Sequence, residues 1–160
     1  MSTTLVLPAE MTIYVAAELR TPWLAWLDGG AGDDTLVLHP PFLATVEQTG
    51  RRLVENPLRD TGSGFVLDIE GMRRAADEGT KVILFCNPHN PTGRVFTREE
   101  LQAIGDLAVE RDLVIISDEV HADLIFSGHT HIPMATLSPE IAARTVTLTA
   151  ASKGFNLAAL

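Results

Sequence analysis

The stretch that decides the fold begins with the apolar run Lys81–Cys86 (KVILFC). Thr97 and Glu100 then form a capping-box pattern, and apolar residues repeat at helical spacing from Arg98 to Arg111. A second continuous apolar run, Leu113–Ile116 (LVII), follows directly. Uninterrupted apolar strands joined by a helix are typical of a parallel sheet whose two faces are covered by helices. The sequence therefore predicts an α/β protein with a three-layer α/β/α architecture and a mostly parallel sheet.

Weaker patterns on either side extend the same architecture. We expect a third strand over Thr145–Thr149, whose residues alternate more than those of the first two. The remaining expected elements are strands at Leu5–Leu7, Thr35–Leu38 and Arg52–Glu55, helices at Met11–Arg20, Pro41–Thr49 and Ile69–Glu78, and a turn at Asp60–Gly64. No internal repeat, low-complexity tract or clear linker divides the chain, so a single domain over residues 1–160 is predicted.

Composition and charge limit the kinds of function that fit. The chain has 160 residues, 46% of them hydrophobic, which suffices for one domain with a sizeable core. Its 21 acidic and 12 basic residues give a net charge of −9. Because Lys and Arg form no cluster, we expect neither a nucleic acid nor an anionic membrane as a partner. A small-molecule ligand fits this surface better.

The single cysteine and the N-terminal residues indicate the compartment. Cys86 cannot form an internal disulfide, and its place in an apolar run predicts a small core residue. Residues 1–8 lack the basic segment and the long apolar segment of a signal peptide, and no window approaches the length of a membrane span. We therefore expect a cytoplasmic protein.

Polar residues follow each of the three best-defined strands. The first strand leads into Asn87–Gly93, the second into Ser117–His121 and the third into Ala150–Lys153. In an open parallel sheet, ligands bind beyond the carboxyl ends of the strands. The sequence therefore places an amide, a carboxylate and an amine along one rim of the sheet.

Each of these groups also has an ordinary interpretation. A lysine such as Lys153 is usually a solvated surface cation, and Asp118 could simply cap a following helix. The segment Asn90–Gly93 is a good turn whatever the function. His121 and the pair at 129 and 131 raise the question of a metal, but the pair lies in a Gly-Pro loop without an HExxH or CxxC pattern, and no metal site is predicted.

In combination, the three segments resemble the class I/II PLP-dependent aminotransferases: NPHNPTG at 87–93, SDEVH at 117–121 and SKGFNLA at 152–158. Within that superfamily, His121, GHTHIP at 128–133 and TLTAASKGFNL at 147–157 are most similar to the cystathionine β-lyases of the MalY/PatB type. The likeness covers residues 35–160, and residues 1–34 match loosely. It implies an incomplete large domain of PLP-transferase fold type I, without the small C-terminal domain of the family.

The resemblance also implies roles for individual residues. Lys153 would bind pyridoxal 5'-phosphate (PLP) covalently and move the α-proton of the substrate. Asp118 would be the carboxylate opposite the pyridine nitrogen. The other implied cofactor-binding residues are Asn90 and His121 at the phenolic oxygen, Ser152 at the phosphate, and His39, or Leu38 in a shifted register, against the ring.

The motifs of the lyase branch favour a carbon–sulfur β-lyase that cleaves cysteine-type thioethers to pyruvate, ammonia and a thiol. An amino-acid aminotransferase, which would use the same Lys153 and Asp118, is the alternative within the family. An inactive fragment, acting at most as a binding or interaction module, is the alternative of another class. Because family members are longer and carry the substrate-binding arginine downstream, the chain is expected to be a fragment. The resemblance also implies that the complete protein forms a homodimer.

Overall fold

The computed structural model describes residues 34–37, Val46 and residues 51–157. The predicted strand Leu5–Leu7, the predicted helix Met11–Arg20 and the candidate ring-stacking residue His39 lie outside the described residues. The predicted helix Pro41–Thr49 is described only at Val46, which is helical.

The described strands and helices follow the predicted alternation. The strands are β1 Asp34–Val37, β2 Arg52–Glu55, β3 Arg59–Asp60, β4 Phe65–Val66, β5 Thr80–Cys86, β6 Val114–Asp118 and β7 Thr145–Leu148. The helices are α1 Ile69–Ala75, α2 Arg98–Glu110, α3 Pro139–Ala142 and α4 Ala151–Gly154, with a 3₁₀ turn at Met134–Thr136 between α2 and α3. None of the described helices is long and apolar enough to cross a membrane.

Five of these strands form one sheet in the order β2-β1-β5-β6-β7. Every neighbouring pair in it is parallel, which confirms the predicted fold class. Parallel neighbours require crossover connections, and α2 supplies the one between β5 and β6. β3 and β4 form a separate antiparallel hairpin around the turn predicted at Asp60–Gly64.

The two faces of the sheet bury different sets of apolar side chains. Alternation along β5 sends Ile83 and Phe85 to one face and Val82 and Leu84 to the other. The first face packs against α1, α2, α3 and the 3₁₀ turn, whose contributions include Met72, Leu101, Ile104, Leu107, Met134 and Ile141. On the second face, Val82 and Leu84 join Ile116, Leu148 and the helical Val46. Both faces of the sheet are therefore apolar and covered, as the continuous runs in the sequence predict.

The boundaries of the helices follow their local chemistry. The predicted capping box at the start of α2 is present: Glu100 N donates to Thr97 Oγ1 (3.3 Å) and Thr97 N donates to Glu100 Oε2 (2.9 Å). The expected helix Ile69–Glu78 is wrong at its C-terminal end, because α1 ends at Ala75. The Asp77 carboxylate accepts hydrogen bonds from the backbone N–H groups of Gly79 and Thr80 and so favours a turn.

The sequence did not predict the short elements β3, β4, α3, α4 and the 3₁₀ turn. The 3₁₀ turn spans three residues and α3 spans four, too few for an apolar period to be recognised. Ser138 caps α3 by accepting a hydrogen bond from Ile141 N (3.2 Å), and Pro139 takes the first helical position. The 3₁₀ turn and α3 pack their buried residues, Met134 and Ile141, against α2.

The close approach of α2 to α3 depends on Gly105. A Cβ atom at this position would overlap Ile141 Cδ1 and lie 2.9 Å from Ile141 Cγ1. Ile141 is 1% exposed, so its side chain has no solvent into which it can move. The packing of α2 against α3 therefore requires glycine at position 105, although glycine is a poor helix former.

We predict that Gly105→Ala lowers the free energy of unfolding by about 1–2 kcal/mol, because the overlap with Ile141 outweighs the gain in helix propensity. In an Ile141→Val background, which lacks the Cδ1 atom, the same substitution should cost clearly less. Urea denaturation of the four proteins of this double-mutant cycle measures the difference. Stabilisation by Gly105→Ala in both backgrounds would contradict the packing argument.

Candidate functional site

The carboxyl ends of β5, β6 and β7 lie side by side. In the register, Cys86 faces Asp118 across the β5–β6 pair, and Asp118 faces Leu148 across the β6–β7 pair. Backbone hydrogen bonds continue beyond the strands, from Asn87 N to Asp118 O (2.9 Å) and from Glu119 N to Leu148 O (2.8 Å). The three polar segments predicted to share one rim therefore leave the sheet at the same edge.

Asp118 is a buried carboxylate at the centre of this edge. Its relative exposure is 7%, and its Oδ1 atom accepts a hydrogen bond from Val120 N (3.2 Å). Burial raises the pKa of Asp118 from 3.8 to about 6, and the neighbouring Glu119 carboxylate adds to the rise. The hydrogen bond from Val120 and the positive charge of Lys153 lower the pKa in part. Asp118 is thus an acceptor in a site where a positively charged partner would favour its ionised form.

Lys153 lies close enough to interact electrostatically with both Asp118 and His121. Lys153 lies on the short helix α4, with its side chain exposed, and Ser152 beside it is half-buried. Burial, and then the charge of Lys153, hold the pKa of His121 below its usual value of 6.5, which favours the neutral imidazole. The Nδ1 atom of His121 is buried and has no hydrogen-bond partner among the residues that the structure describes.

Asn90 lies at the tip of a closed loop that follows β5. Asn87 Oδ1 accepts a hydrogen bond from Phe96 N (3.0 Å) and closes the base of the loop. Within it, His89 N donates to Arg94 O (2.7 Å), and Gly93 N donates to His89 O (2.7 Å). Gly93 has φ +69°, a conformation that glycine adopts without strain. The loop is therefore held by its own backbone, and the Asn90 side chain is left exposed.

The loop is also tied to the core beside it. Arg94 Nη2 donates to Glu100 Oε1 (2.7 Å) on α2, and the Arg94 guanidinium lies 5.0 Å from the centre of the buried Phe96 ring. Cys86 at the end of β5 is fully buried, and its thiol donates to Pro88 O (3.1 Å). Burial and the Asp118 charge raise the pKa of Cys86 to about 12, so the thiol is protonated and is not a nucleophile.

The structure describes five of the six candidate site residues. It brings the titratable groups Asp118, His121 and Lys153 together, places Ser152 next to Lys153 on α4, and places Asn90 in the neighbouring loop. His39 lies outside the described residues. Among those residues no group of three or more His, Cys, Asp or Glu side chains could hold a metal ion.

Sequence reasoning missed a second buried carboxylate, Glu119. Its Oε1 atom accepts hydrogen bonds from Ser117 Oγ (2.8 Å) and Met134 N (3.0 Å), and its Oε2 atom accepts one from His131 Nε2 (2.8 Å). The signal was present as two adjacent acidic residues at the end of a buried strand. Since consecutive strand residues point to opposite faces, Asp118 and Glu119 require separate sets of partners.

Comparison with known proteins identifies the family. Residues 36–160 match the family model described as "Aminotransferase class I and II". The chain belongs to the class I and II aminotransferases. This family is one of PLP-dependent enzymes, and the resemblance seen in the motifs is confirmed.

Relatives of two kinds occur among the class I and II aminotransferases that match. The chain is 40% identical over 133 residues to cystathionine beta-lyase PatB of Bacillus subtilis, covering 81% of this chain and 34% of that protein. It is 38% identical over 128 residues to the probable N-succinyldiaminopimelate aminotransferase DapC of Mycobacterium tuberculosis, covering 78% of this chain and 32% of that protein.

A solved structure supports the same assignment. The described fold is similar to cystalysin from Treponema denticola, whose crystal structure contains pyridoxal 5'-phosphate, with a TM-score of 0.75 and 35% identity. The match covers 79% of this chain and 33% of that one. The chain thus spans about a third of the length of the relatives it matches. The family that the chain belongs to thus includes relatives named as lyases and relatives named as aminotransferases.

The raised pKa of Asp118 predicts how stability depends on pH in the cofactor-free protein. The folded state binds this proton more tightly than the unfolded state, so stability should fall as pH rises from about 4 to about 6, by about 3 kcal/mol in all. Asp118→Asn keeps the acceptor for Val120 N and removes the charge. The variant should therefore be more stable than the wild type at pH 7 and no more stable below pH ~4.

Urea denaturation at three pH values measures this effect. The control is Asp106→Asn, at an exposed position on α2. It should leave the pH dependence of the free energy of unfolding as it is in the wild type. If the stability of the wild type and of Asp118→Asn depended equally on pH, the raised pKa of Asp118 would be contradicted.

Proposed function

We propose that the protein carrying this chain is a PLP-dependent carbon–sulfur β-lyase, which cleaves cysteine-type thioethers to pyruvate, ammonia and a thiol. The observation that carries the proposal is the buried Asp118 carboxylate within electrostatic reach of the Lys153 amine at the edge of a parallel sheet. A buried acid next to an exposed amine, beyond the carboxyl ends of parallel strands, is the arrangement that a cationic heteroaromatic cofactor with a reactive aldehyde requires.

The described residues fit PLP in their charges and donors. Asp118 accepts one described hydrogen bond at Oδ1, which leaves acceptor capacity for a protonated pyridine nitrogen. The buried and unpartnered Nδ1 of His121 can bond a ligand oxygen or a ligand hydroxyl. Asn90 presents an exposed amide from a loop that its own hydrogen bonds hold in place. As the resemblance implies, Ser152 would bind the phosphate and His39 would stack against the ring.

Bound PLP would supply an electron sink for the negative charge that develops on the α-carbon of an amino acid. Lys153 is the amine that would attach to the aldehyde carbon and, once displaced by the substrate amine, would carry the α-proton. Asp118 would keep the pyridine nitrogen positively charged. Because a cation opposite Asp118 favours the ionised carboxylate, cofactor binding would lower the pKa of Asp118 from about 6.

The lyase and the aminotransferase differ in where the amino group and the leaving group go. In the lyase, the α-proton is removed, the β-carbon–sulfur bond breaks with release of a thiol, and one water is taken up to give pyruvate and ammonia. In an aminotransferase, the amino group would be passed on to a 2-oxo acid, and no thiol would be released. The 40% identity to a cystathionine beta-lyase and the likeness to cystalysin support the lyase. The 38% identity to DapC supports an aminotransferase as the second candidate.

Three further properties of the protein are proposed on the resemblance and the composition alone. We propose that residues 1–160 form one partial cofactor-binding domain, that the substrate is a small amino acid, and that the complete protein is a cytoplasmic homodimer.

The lysine assignment is testable because the chain has two lysines, Lys81 and Lys153. After PLP addition, desalting and borohydride reduction, mass mapping should find the label on Lys153. Lys153→Ala should abolish the absorbance of the lysine-bound cofactor with little change in the fold. The matched control is Lys81→Ala, which alters a β5 side chain directed toward Glu78 O (3.4 Å) and should keep the absorbance. An unchanged spectrum in Lys153→Ala would refute the assignment.

The reaction class is decided by the products formed from a cysteine thioether such as cystathionine. We expect equal amounts of pyruvate, ammonia and thiol without any added 2-oxo acid. Asp118→Asn should retain some cofactor and lose turnover by about a hundredfold or more, because the positive charge on the pyridine nitrogen is no longer held. Amino-group transfer that requires a 2-oxo acid would identify an aminotransferase, and full activity of Asp118→Asn would exclude the proposed pairing.

A further inference from the structure

Glu119, the residue after Asp118, is a buried carboxylate that the proposed chemistry does not use. The Glu119 side chain is 4% exposed and that of His131 is 10% exposed. Three donors satisfy the two oxygens of Glu119: Ser117 Oγ, Met134 N and His131 Nε2. A buried carboxylate destabilises the fold unless its oxygens accept hydrogen bonds, so these three donors are required where Glu119 lies.

Glu119 anchors the end of β6 on the face opposite to Asp118. Along the strand, Ile115 packs on the face covered by α2 and α3, and Ile116 packs on the other. Met134, which donates to Glu119, belongs to the first of these two clusters. Alternation places Asp118 on the same side as Ile116. Glu119 therefore fastens the strand end to the helical layer, and Asp118 faces the other way.

The backbone of Glu119 is bonded to both neighbouring parts of the site. Its N–H donates to Leu148 O (2.8 Å), at the end of the strand that leads to Lys153. Its C=O accepts from Ala122 N (3.0 Å) in the turn that carries His121. A displacement of Glu119 would therefore move Asp118, His121 and the segment before Lys153 together.

His131 reaches this point from twelve residues further along the chain. Its Nε2 atom lies 2.8 Å from Glu119 Oε2, and because a carboxylate accepts, the ring nitrogen donates. We propose that Glu119 and His131 form a positioning pair, which holds the backbone from Asp118 to His121 in the arrangement that PLP requires. The proposal rests on the proposed function, since it concerns the same cofactor.

A purely structural role predicts a different result. A pair that only stabilised the fold would, when broken, lower the melting temperature and leave cofactor affinity unchanged at temperatures where the protein is folded. A positioning pair changes the cofactor site itself. Cofactor affinity and the absorbance of the bound cofactor therefore separate the two roles.

The test compares His131→Leu, which removes the donor to Glu119, with His131→Gln, whose side-chain amide can place an N–H near the position of Nε2. Equilibrium dialysis of the purified protein against PLP should show affinity reduced about tenfold for the leucine variant, the factor that corresponds to one lost hydrogen bond to a charged group. The glutamine variant should stay within about threefold of the wild type. The matched control is His129→Leu, at an exposed histidine two residues away, which should bind as the wild type does.

Two measurements in addition to affinity complete the test. In the cofactor-free protein, deuterium exchange of the peptide covering residues 118–122 should be faster in His131→Leu than in His131→Gln. In the loaded protein, the pH at which the absorbance of the bound cofactor changes should shift in the leucine variant and be restored in the glutamine variant. Wild-type affinity, exchange and absorbance in a folded His131→Leu protein would overturn the positioning role and leave the proposed function intact.

If His131→Leu does not fold, Ser117→Ala takes its place. This change deletes one donor to the same carboxylate at a fully buried position and keeps the bond from His131. It should weaken PLP binding and shift the absorbance transition in the same direction by a smaller amount, and wild-type values would overturn the proposal. Failure of the wild-type protein itself to bind PLP on Lys153 would refute the proposed function and this inference together.

Discussion

The parallel register of β5, β6 and β7 is the constraint on which the whole site depends. It sets Cys86, Asp118 and Leu148 side by side, so that the segments after them begin at one edge of the sheet. A one-residue slip of β6 would turn Asp118 toward the helical layer and Glu119 toward the site, because successive side chains in a strand point to opposite faces. The apolar residues on both faces of β5 and β6 exclude such a slip, since each of them would exchange one core for the other.

Two carboxylates at adjacent positions are tolerated because their surroundings differ. Glu119 receives three described hydrogen bonds and is fully satisfied on the side of the helical layer. Asp118 receives one, and burial raises its pKa to about 6. Donors of the protein itself satisfy Glu119, whereas the unused acceptor capacity of the buried Asp118 is available to a ligand. The same local sequence thus supplies an anchor and a candidate binding group.

Much of the fold and most of the candidate site could be predicted from the sequence. Continuous apolar strands, a capping box and polar residues at the strand ends indicated a covered parallel sheet with Asp118 and Lys153 at its edge, and the motif order indicated the family. The end of α1 and the short elements at 134–136 and 139–142 were missed. Local side-chain bonds and caps decide them, and an apolar period does not reveal them.

By itself, the sequence determined the fold class, because burial on two faces leaves a continuous apolar run, and the family, because three motifs keep their order and spacing. Only the tertiary structure decided that the adjacent acid, Glu119, faces the helical layer and is tied to the core. It also decided that His131 bonds Glu119, where the sequence offered it as a remote possibility for a metal. The reason is physical: His131 meets its partner across twelve residues through the packing of Met134 against α2, and no local pattern encodes a contact made by packing.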